Sequence, residues 1–348
     1  MKVIGTIVTR SYLSFALALA ESLRRSGNHE KLFILLADRE SGEKSADGET
    51  IQTIGLGNLV PTIPLLPRYY FTAFELCSVL KPYLITYLFQ QGAREVIYLD
   101  SDIMVVGSLA GVWEKLAGAT LSLSPHHLIP PPMNLSYTSD LAVSNMGILN
   151  SGFYAMRNTP TAREMLAWLR ERLLIYGFCT GEKGMFGDQK MLPQLLQYYP
   201  TEVQILRDPG LNVAWWNAHE RKVRKEGGRY VTESGDPVVF FHMSGYLASE
   251  PDLVCSYLPR STSLEILERA PWLRQVMKDH HALLATHGMG KSHPFAFASF
   301  NGMLLTPGLR RILFRKGALS STDSEVWKVR LLDCLRTIKR KLFPYRQR

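Results

Sequence analysis

Short apolar runs that alternate with amphipathic helical patterns restrict this chain to few architectures. "KVIGTIVT" and "KLFILLA" read as strands on either side of a helix from about Tyr12 to Arg25. A second helix, from about Glu75 to Gln90, leads into the strand "EVIYL", which ends at Asp100. Strand, helix, strand in this order is a βαβ pattern and implies a mostly parallel α/β sheet. Further strands are expected at "ATLSLS", "MGILNSGFYAM", "EVQIL" and "PVVFFHM", with helices over residues 162–176 and 188–198. No internal repeat or low-complexity segment interrupts the pattern.

A chain of 348 residues, 46% hydrophobic and 20% charged, can bury a substantial core. Cys77, Cys179, Cys255 and Cys334 lie far apart without a CxxC pair, which suggests neither a zinc site nor a disulfide framework and fits a reducing compartment. "SYLSFALALAESLRR" has the small and apolar residues of a signal peptide. Arg10, however, separates it from the first apolar run, so strand, turn and amphipathic helix is the more natural reading. No apolar run reaches the ~18 residues of a membrane span.

The net charge of +9 is local. Residues 310–348 hold twelve Lys/Arg and three Asp/Glu, 12 − 3 = +9, which equals the value for the whole chain, 40 − 31 = +9. A balanced body with a basic tail argues against a nucleic-acid-binding surface and for a local anionic partner. Trp327, Leu331, Leu335, Ile338 and Leu342 recur at helical spacing, with Lys328, Arg336, Lys339 and Arg340 off that line and Phe343 and Tyr345 following. Such a helix suits the interface of an anionic membrane. It equally suits a terminal helix with its apolar face on the domain and a solvated basic face.

Asp100 and Asp102 stand at the end of an apolar strand, where α/β sheets place their ligands. In an extended segment residues two apart share a side, so the carboxylates crowd unless a positive charge lies between them. A divalent cation answers most economically. A lone Asp-x-Asp more often caps a turn. Here "GDQK", with Asp188 and Gln189, and "FFHMSGY", with His242 after an apolar strand, add a carboxylate, a carboxamide and an imidazole. Mn²⁺ or Mg²⁺ suits carboxylate oxygens, and Mn²⁺ also accepts imidazole nitrogen.

The ordered set "FELCSVLKPYL", "YLDSDIMVVGSL", "LNSGFYAM", "FGDQK", "LNVAWWN" and "FHMSG" resembles the nucleotide-sugar-dependent GT-A glycosyltransferases, closest to the retaining enzymes of glycosyltransferase family 8 and their bacterial relatives. The resemblance covers about residues 1–250. It implies a Rossmann-like GT-A domain over residues 1–260, followed by a mostly helical extension over 261–348 that ends in the basic tail. It also implies Mn²⁺ or Mg²⁺ on Asp100, Asp102 and His242, against the diphosphate of a UDP-linked donor, with Ser101 and Gly245 in the same donor site. Asp188 would bind donor-sugar hydroxyls, and Gln189 would lie near the anomeric carbon opposite the leaving group. Asn150 would contact the donor sugar, and Lys81 stands where the family often carries a basic residue near the diphosphate. Thr9 and Tyr12 follow the first strand, where these folds bind the nucleoside. The acceptor would be a glycan or a lipid-linked acceptor, and the expected location is cytoplasmic, either free or peripheral at the inner face of the membrane.

The family's usual Lys-Pro-Trp after its histidine is missing from "FHMSGYLASEPD". Bland roles are open for several residues: a solvated Lys81, a turn Asn150, a core Tyr12, and core-filling Trp215 and Trp216. The proline-rich stretch 124–140 is expected to form a loop over the cleft, with His126 a candidate for acceptor recognition or a solvated loop residue. A haloacid-dehalogenase-like phosphatase also carries Asp-x-Asp at a strand end, but early in the chain and with Thr or Val where Met104 stands. A nucleotidyltransferase would need a Gly-rich basic loop after "TIVT". An inactive glycan-binding paralogue would not need the intact metal set.

Overall fold

A computed structural model describes residues 1–42, 49–180, 184–288, 293–300 and 303–317. In chain order the strands are β1 (Lys2–Val8), β2 (Lys31–Leu36), β3 (Ile51–Gly55), β4 (Glu95–Leu99), β5 (Ile103–Val105), β6 (Leu121–Pro125), β7 (Leu149–Arg157), β8 (Cys179–Thr180), β9 (Met185–Phe186), β10 (Val203–Ile205), β11 (Val223–Glu226), β12 (Arg229–Thr232), β13 (Phe240–His242), β14 (Ser299–Phe300) and β15 (Met303–Leu304). The helices are α1 (Leu13–Arg25), α2 (Leu65–Tyr70), α3 (Ala73–Gln90), α4 (Ala110–Leu116), α5 (Asp140–Met146), α6 (Pro160–Tyr176), α7 (Leu192–Tyr198), α8 (Arg260–Arg269), α9 (Leu273–Thr286) and α10 (Pro307–Gly317).

Seven strands form one sheet in the order β10-β6-β7-β4-β1-β2-β3. Only β7 runs against its neighbours; the pairings of β1 with β2 and β4, β2 with β3 and β6 with β10 are parallel. Alternate residues of the central strands feed opposite layers. Val3, Ile7, Val96 and Tyr98 pack with α3 and α6 on one face, while Ile4, Val8, Ile97 and Leu99 pack with α1 and α4 on the other. The expected α/β class, with a mostly parallel central sheet, is what the chain forms.

A third core joins α8 and α9 to β5, β13 and the β11–β12 hairpin. Farther on, α10 packs on α2. Buried Arg310 donates to the carbonyls of Tyr69 (2.9 Å), Phe71 (2.8 Å) and Phe297 (2.8 Å). Its neighbour Arg311 pairs with Glu75 and lies 3.9 Å over the Phe178 ring. The first basic residues of the tail therefore belong to the folded body. The amphipathic stretch from Trp327 onward lies outside the described residues. No helix among the described residues is long and apolar enough to cross a membrane.

Two expectations are corrected. The helix expected over 188–198 begins at Leu192, because residues 188–191 form a turn closed by Met191 N–H on Asp188 O (2.8 Å). Pro193 sits in the first turn of α7, where its missing donor is harmless. "MGILNSGFYAM" enters its strand only at Leu149, since Met146 closes α5 and Gly147 takes φ 129°. Residues 51–55 form an edge strand, β3, that was not expected.

Candidate active site

β4 delivers Asp100 at its carboxyl end, and a tight turn follows, closed by Ile103 N–H on Asp100 O (3.1 Å). Asp100 and Asp102 are thus not brought together by strand alternation, as expected from the sequence. Residues 101 and 102 are in the turn, with Ser101 buried within it. What assembles the site is the next pairing. β5 runs antiparallel to β13 with Ile103 opposite His242, so the imidazole arrives beside Asp102. His242 Nε2 lies 3.3 Å from Asp102 Oδ1, and one ligand atom from each of Asp100, Asp102 and His242 falls within 4.8 Å of the others.

Below this triad lies a buried charge cluster. Lys81 projects from the middle of α3, with Nζ 3.4 Å from Asp100 Oδ1, 3.3 Å from Asp188 Oδ2 and 2.8 Å from Ser151 O. Burial disfavours its charge, but the two carboxylates outweigh that and raise its pKa, so it is an ammonium. The solvated reading of Lys81 is thereby overturned. Asp188 is 1% exposed and takes a hydrogen bond from Tyr154 OH. Burial pushes its carboxyl up, and Lys81 and Tyr154 only partly offset this. Tyr98 OH donates to Asp100 Oδ1 (2.7 Å). Burial and the neighbouring carboxylates hold the Tyr98 and Tyr154 phenols far above their usual range, so both are donors. Burial opposes ionisation of Asp102 too, yet the adjacent His242 imidazole prevails and holds its carboxyl below the usual value.

Gln189 is buried with both ends engaged. Its Oε1 accepts from Ser151 N–H (3.1 Å), and its Nε2 donates to Met146 O (3.0 Å). Asn150, in β7 rather than in a turn, accepts from Gly152 N–H (2.9 Å) and places Nδ2 3.1 Å from His126 Nε2. His126 is therefore not a solvated loop residue. It is buried beside the end of β6 against Trp216, and burial lowers its pKa to about 3, leaving a neutral ring that accepts from Asn150. Trp216 fills the core between His126 and His242, while half-buried Trp215 donates to Ser244 O (3.1 Å).

Thr9 is buried at the end of β1, and its carbonyl accepts Tyr12 N–H (2.9 Å) in the turn that opens α1. Tyr12 itself is 48% exposed, which removes the core reading. Burial, then the charge of Asp102, raises its pKa. Gly245 has φ 77°, and a side chain there would run into Cys255 Sγ at 2.5 Å. Ser256 N–H closes on Gly245 O (2.8 Å), and Tyr257 packs against this turn near Asp102.

Tyr98, Ser151, Tyr154 and Asn212 contribute to this site but were not singled out from the sequence. Tyr98 was within reach, since it lies two residues before Asp100 and strand alternation gives it the same face. Tyr154 requires the register of β4 on β7, where it stands opposite Tyr98. The donor set, two carboxylates and an imidazole around one point, fits Mn²⁺ or Mg²⁺. Cys77, Cys179 and Cys255 are free thiols.

No family model matches the chain. It is 24% identical over 245 residues to the uncharacterized protein YfnF of Bacillus subtilis (strain 168), covering 69% of this chain and 80% of that one. It is 26% identical over 264 residues to YfnD of the same strain, covering 73% and 81%. Among solved structures, it is similar to galactosyltransferase LgtC in complex with donor and acceptor sugar analogs, at 15% identity and TM-score 0.47, covering 84% of this chain and 98% of that one. Glycosyltransferase GlyE of Streptococcus pneumoniae TIGR4 matches at 16% identity and TM-score 0.42, covering 82% and 62%. Mouse xyloside xylosyltransferase 1 matches at 16% identity and TM-score 0.39, covering 70% and 97%. At such scores the chemistry of this chain rests on its own residues.

Proposed function

We propose that this chain is a metal-dependent retaining glycosyltransferase that moves a sugar from a nucleotide-sugar donor, UDP-linked by preference, to a glycan or lipid-linked acceptor. The observation that carries this reading is the convergence of Asp100, Asp102 and His242 within 4.8 Å at the carboxyl end of β4, directly above Lys81, Asp188 and Gln189. Asp100, Asp102 and His242 would hold Mn²⁺ or Mg²⁺, whose charge stabilises a leaving nucleoside diphosphate without a proton. A phosphatase of the Asp-x-Asp type would need one of these aspartates free as a nucleophile. Asp100 is instead tied to Tyr98 and Lys81, and Asp102 to His242.

Asp188, held 3.3 Å from the Lys81 ammonium, accepts hydrogen bonds from donor-sugar hydroxyls. Gln189 is a carboxamide held at both ends, unsuited to act as a nucleophile. Retention then follows from front-face attack through a short-lived oxocarbenium-like ion pair, with the departing phosphate taking the acceptor's proton. Asn150 keeps one amide N–H for the donor sugar after its bond to His126. Thr9 and the exposed Tyr12 ring border the nucleoside, and Ser101 and Gly245 present backbone to the diphosphate.

The test is donor hydrolysis across UDP-, GDP- and dTDP-sugars with Mn²⁺, followed by NMR of the early transfer product. The expected product keeps the donor's anomeric configuration. An inverted product would exclude this mechanism, and phosphate release from simple monoesters without sugar transfer would favour the phosphatase.

The residues from about Asp323 onward are proposed to bind anionic membrane, each basic residue near the surface adding about 1 kcal/mol. Deleting residues 323–348 should abolish salt-sensitive sedimentation with anionic vesicles and leave soluble-donor hydrolysis intact. A truncated chain that loses solubility or melts many degrees lower would assign the apolar face to the core instead.

A further inference from the structure

Asn212 is the one non-glycine residue with a left-handed backbone among the described residues, at φ 55°. It is fully buried. Asparagine tolerates this region better than most side chains, but holding it in the interior needs surrounding structure that enforces it. Asn217 supplies that structure: its Nδ2 donates to Asn212 O (2.9 Å) and His126 O (3.0 Å), while its Oδ1 accepts Ala214 N–H (2.9 Å). The strained residue aims its carboxamide at His242. Asn212 Oδ1 lies 3.1 Å from His242 Nδ1, and its Nδ2 reaches Pro125 O (3.4 Å), which fixes which end faces the imidazole.

The His242 ring is confined on its other sides. Its backbone N–H bonds Val213 O (2.9 Å), next to Asn212. The Trp216 ring packs edge-on with centroids 5.1 Å apart. A Cβ at position 152 would lie 2.4 Å from His242 Cε1, so glycine is required there. The remaining nitrogen, Nε2, faces Asp102. Here two acceptors compete for the ring. The Asp102 carboxylate draws a proton to Nε2, giving the tautomer in which Nε2 has no lone pair for a metal. The Asn212 carbonyl draws it to Nδ1, which leaves a lone pair on Nε2.

We infer that Asn212 is the positioning residue of the cation site, holding a proton on His242 Nδ1 so that Nε2 faces the space between Asp100 and Asp102 as a ligand. This rests on the reading of Asp100, Asp102 and His242 as cation ligands. Asn212 does not touch the cation or the substrate. Its signal in the sequence is the first Asn of "LNVAWWN", which no spacing argument connects to a histidine 30 residues away.

Two substitutions separate positioning from packing. Asn212→Gly keeps the left-handed backbone and removes the carboxamide, whereas Asn212→Asp keeps an acceptor at the same place. Mn²⁺ binding to the full chain, followed by electron paramagnetic resonance, should weaken about 10- to 100-fold in Asn212→Gly and be largely retained in Asn212→Asp. Histidine ¹⁵N NMR of the metal-free chain, with His242→Gln assigning the resonance, should show Nδ1 protonated in the wild type and in Asn212→Asp. In Asn212→Gly the proton should move to Nε2. Wild-type Mn²⁺ affinity in Asn212→Gly, or a wild-type ring protonated only at Nε2, would overturn the inference. If the wild type binds no Mn²⁺, the cation reading falls, while the ¹⁵N spectrum still upholds or refutes the tautomer that Asn212 is inferred to impose.

Discussion

Donor turnover by an Asp102→Asn variant falls by about 10²-fold or more, the effect of withdrawing a few kcal/mol from leaving-group stabilisation. The substitution keeps the shape of the side chain and removes its charge. The electrostatic surroundings favour that charge, because His242 at 3.3 Å holds the Asp102 carboxyl below the usual range despite burial. The fold should survive, since the Asp102 side chain retains 27% exposure and its backbone carbonyl still accepts Met243 N–H (2.9 Å). Donor hydrolysis with and without EDTA, together with a thermal melt, reads both halves. EDTA-resistant activity at the wild-type level in this variant would refute the cation assignment.

The site was only partly legible in the sequence, and the boundary is physical. Asp100, Asp102 and His242 could be proposed because each follows an apolar strand, and strand ends in α/β sheets converge on one edge. The reason first given for the pairing of the aspartates, alternation along a strand, was the wrong one. A turn and the β5–β13 ladder do that work, and ladder register depends on residues 135 to 139 positions apart rather than on local pattern. Main-sheet strands and the long helices were readable because their apolar periodicity is local. β3, the late start of α7 and the entry into β7 were not, since they depend on Gly147, Pro193 and a neighbouring strand. Lys81 illustrates the limit. On α3 its neighbours in sequence do not distinguish a solvated lysine from a buried one, because what buries it are Tyr98 and Tyr154, whose rings lie 4.9 and 5.5 Å from its ammonium.

That burial makes Lys81 a position where a single substitution should cost much stability. In Lys81→Met the stem is replaced by a side chain of similar length and the charge is lost. Asp188, with a side chain 2% exposed, and Asp100 are left without the cation at 3.3 and 3.4 Å. Breaking a buried pair from one side typically costs about 3–5 kcal/mol, far more than removing a surface ion pair. The loss should depend on pH. Asp188 already titrates above its usual value because it is buried, and removing Lys81 raises it further. Between the unfolded and folded values the native chain then holds a proton that the unfolded chain releases, so stability rises as pH falls. Urea denaturation should therefore show the largest deficit at about pH 8 and a smaller one at about pH 5. Adding Asp188→Asn to Lys81→Met removes the stranded charge and should recover much of the stability without restoring transfer, because the donor-sugar contact is lost with it. A Lys81→Met chain within about 0.5 kcal/mol of wild type at every pH would return Lys81 to the solvated surface and remove the charge cluster from beneath the site.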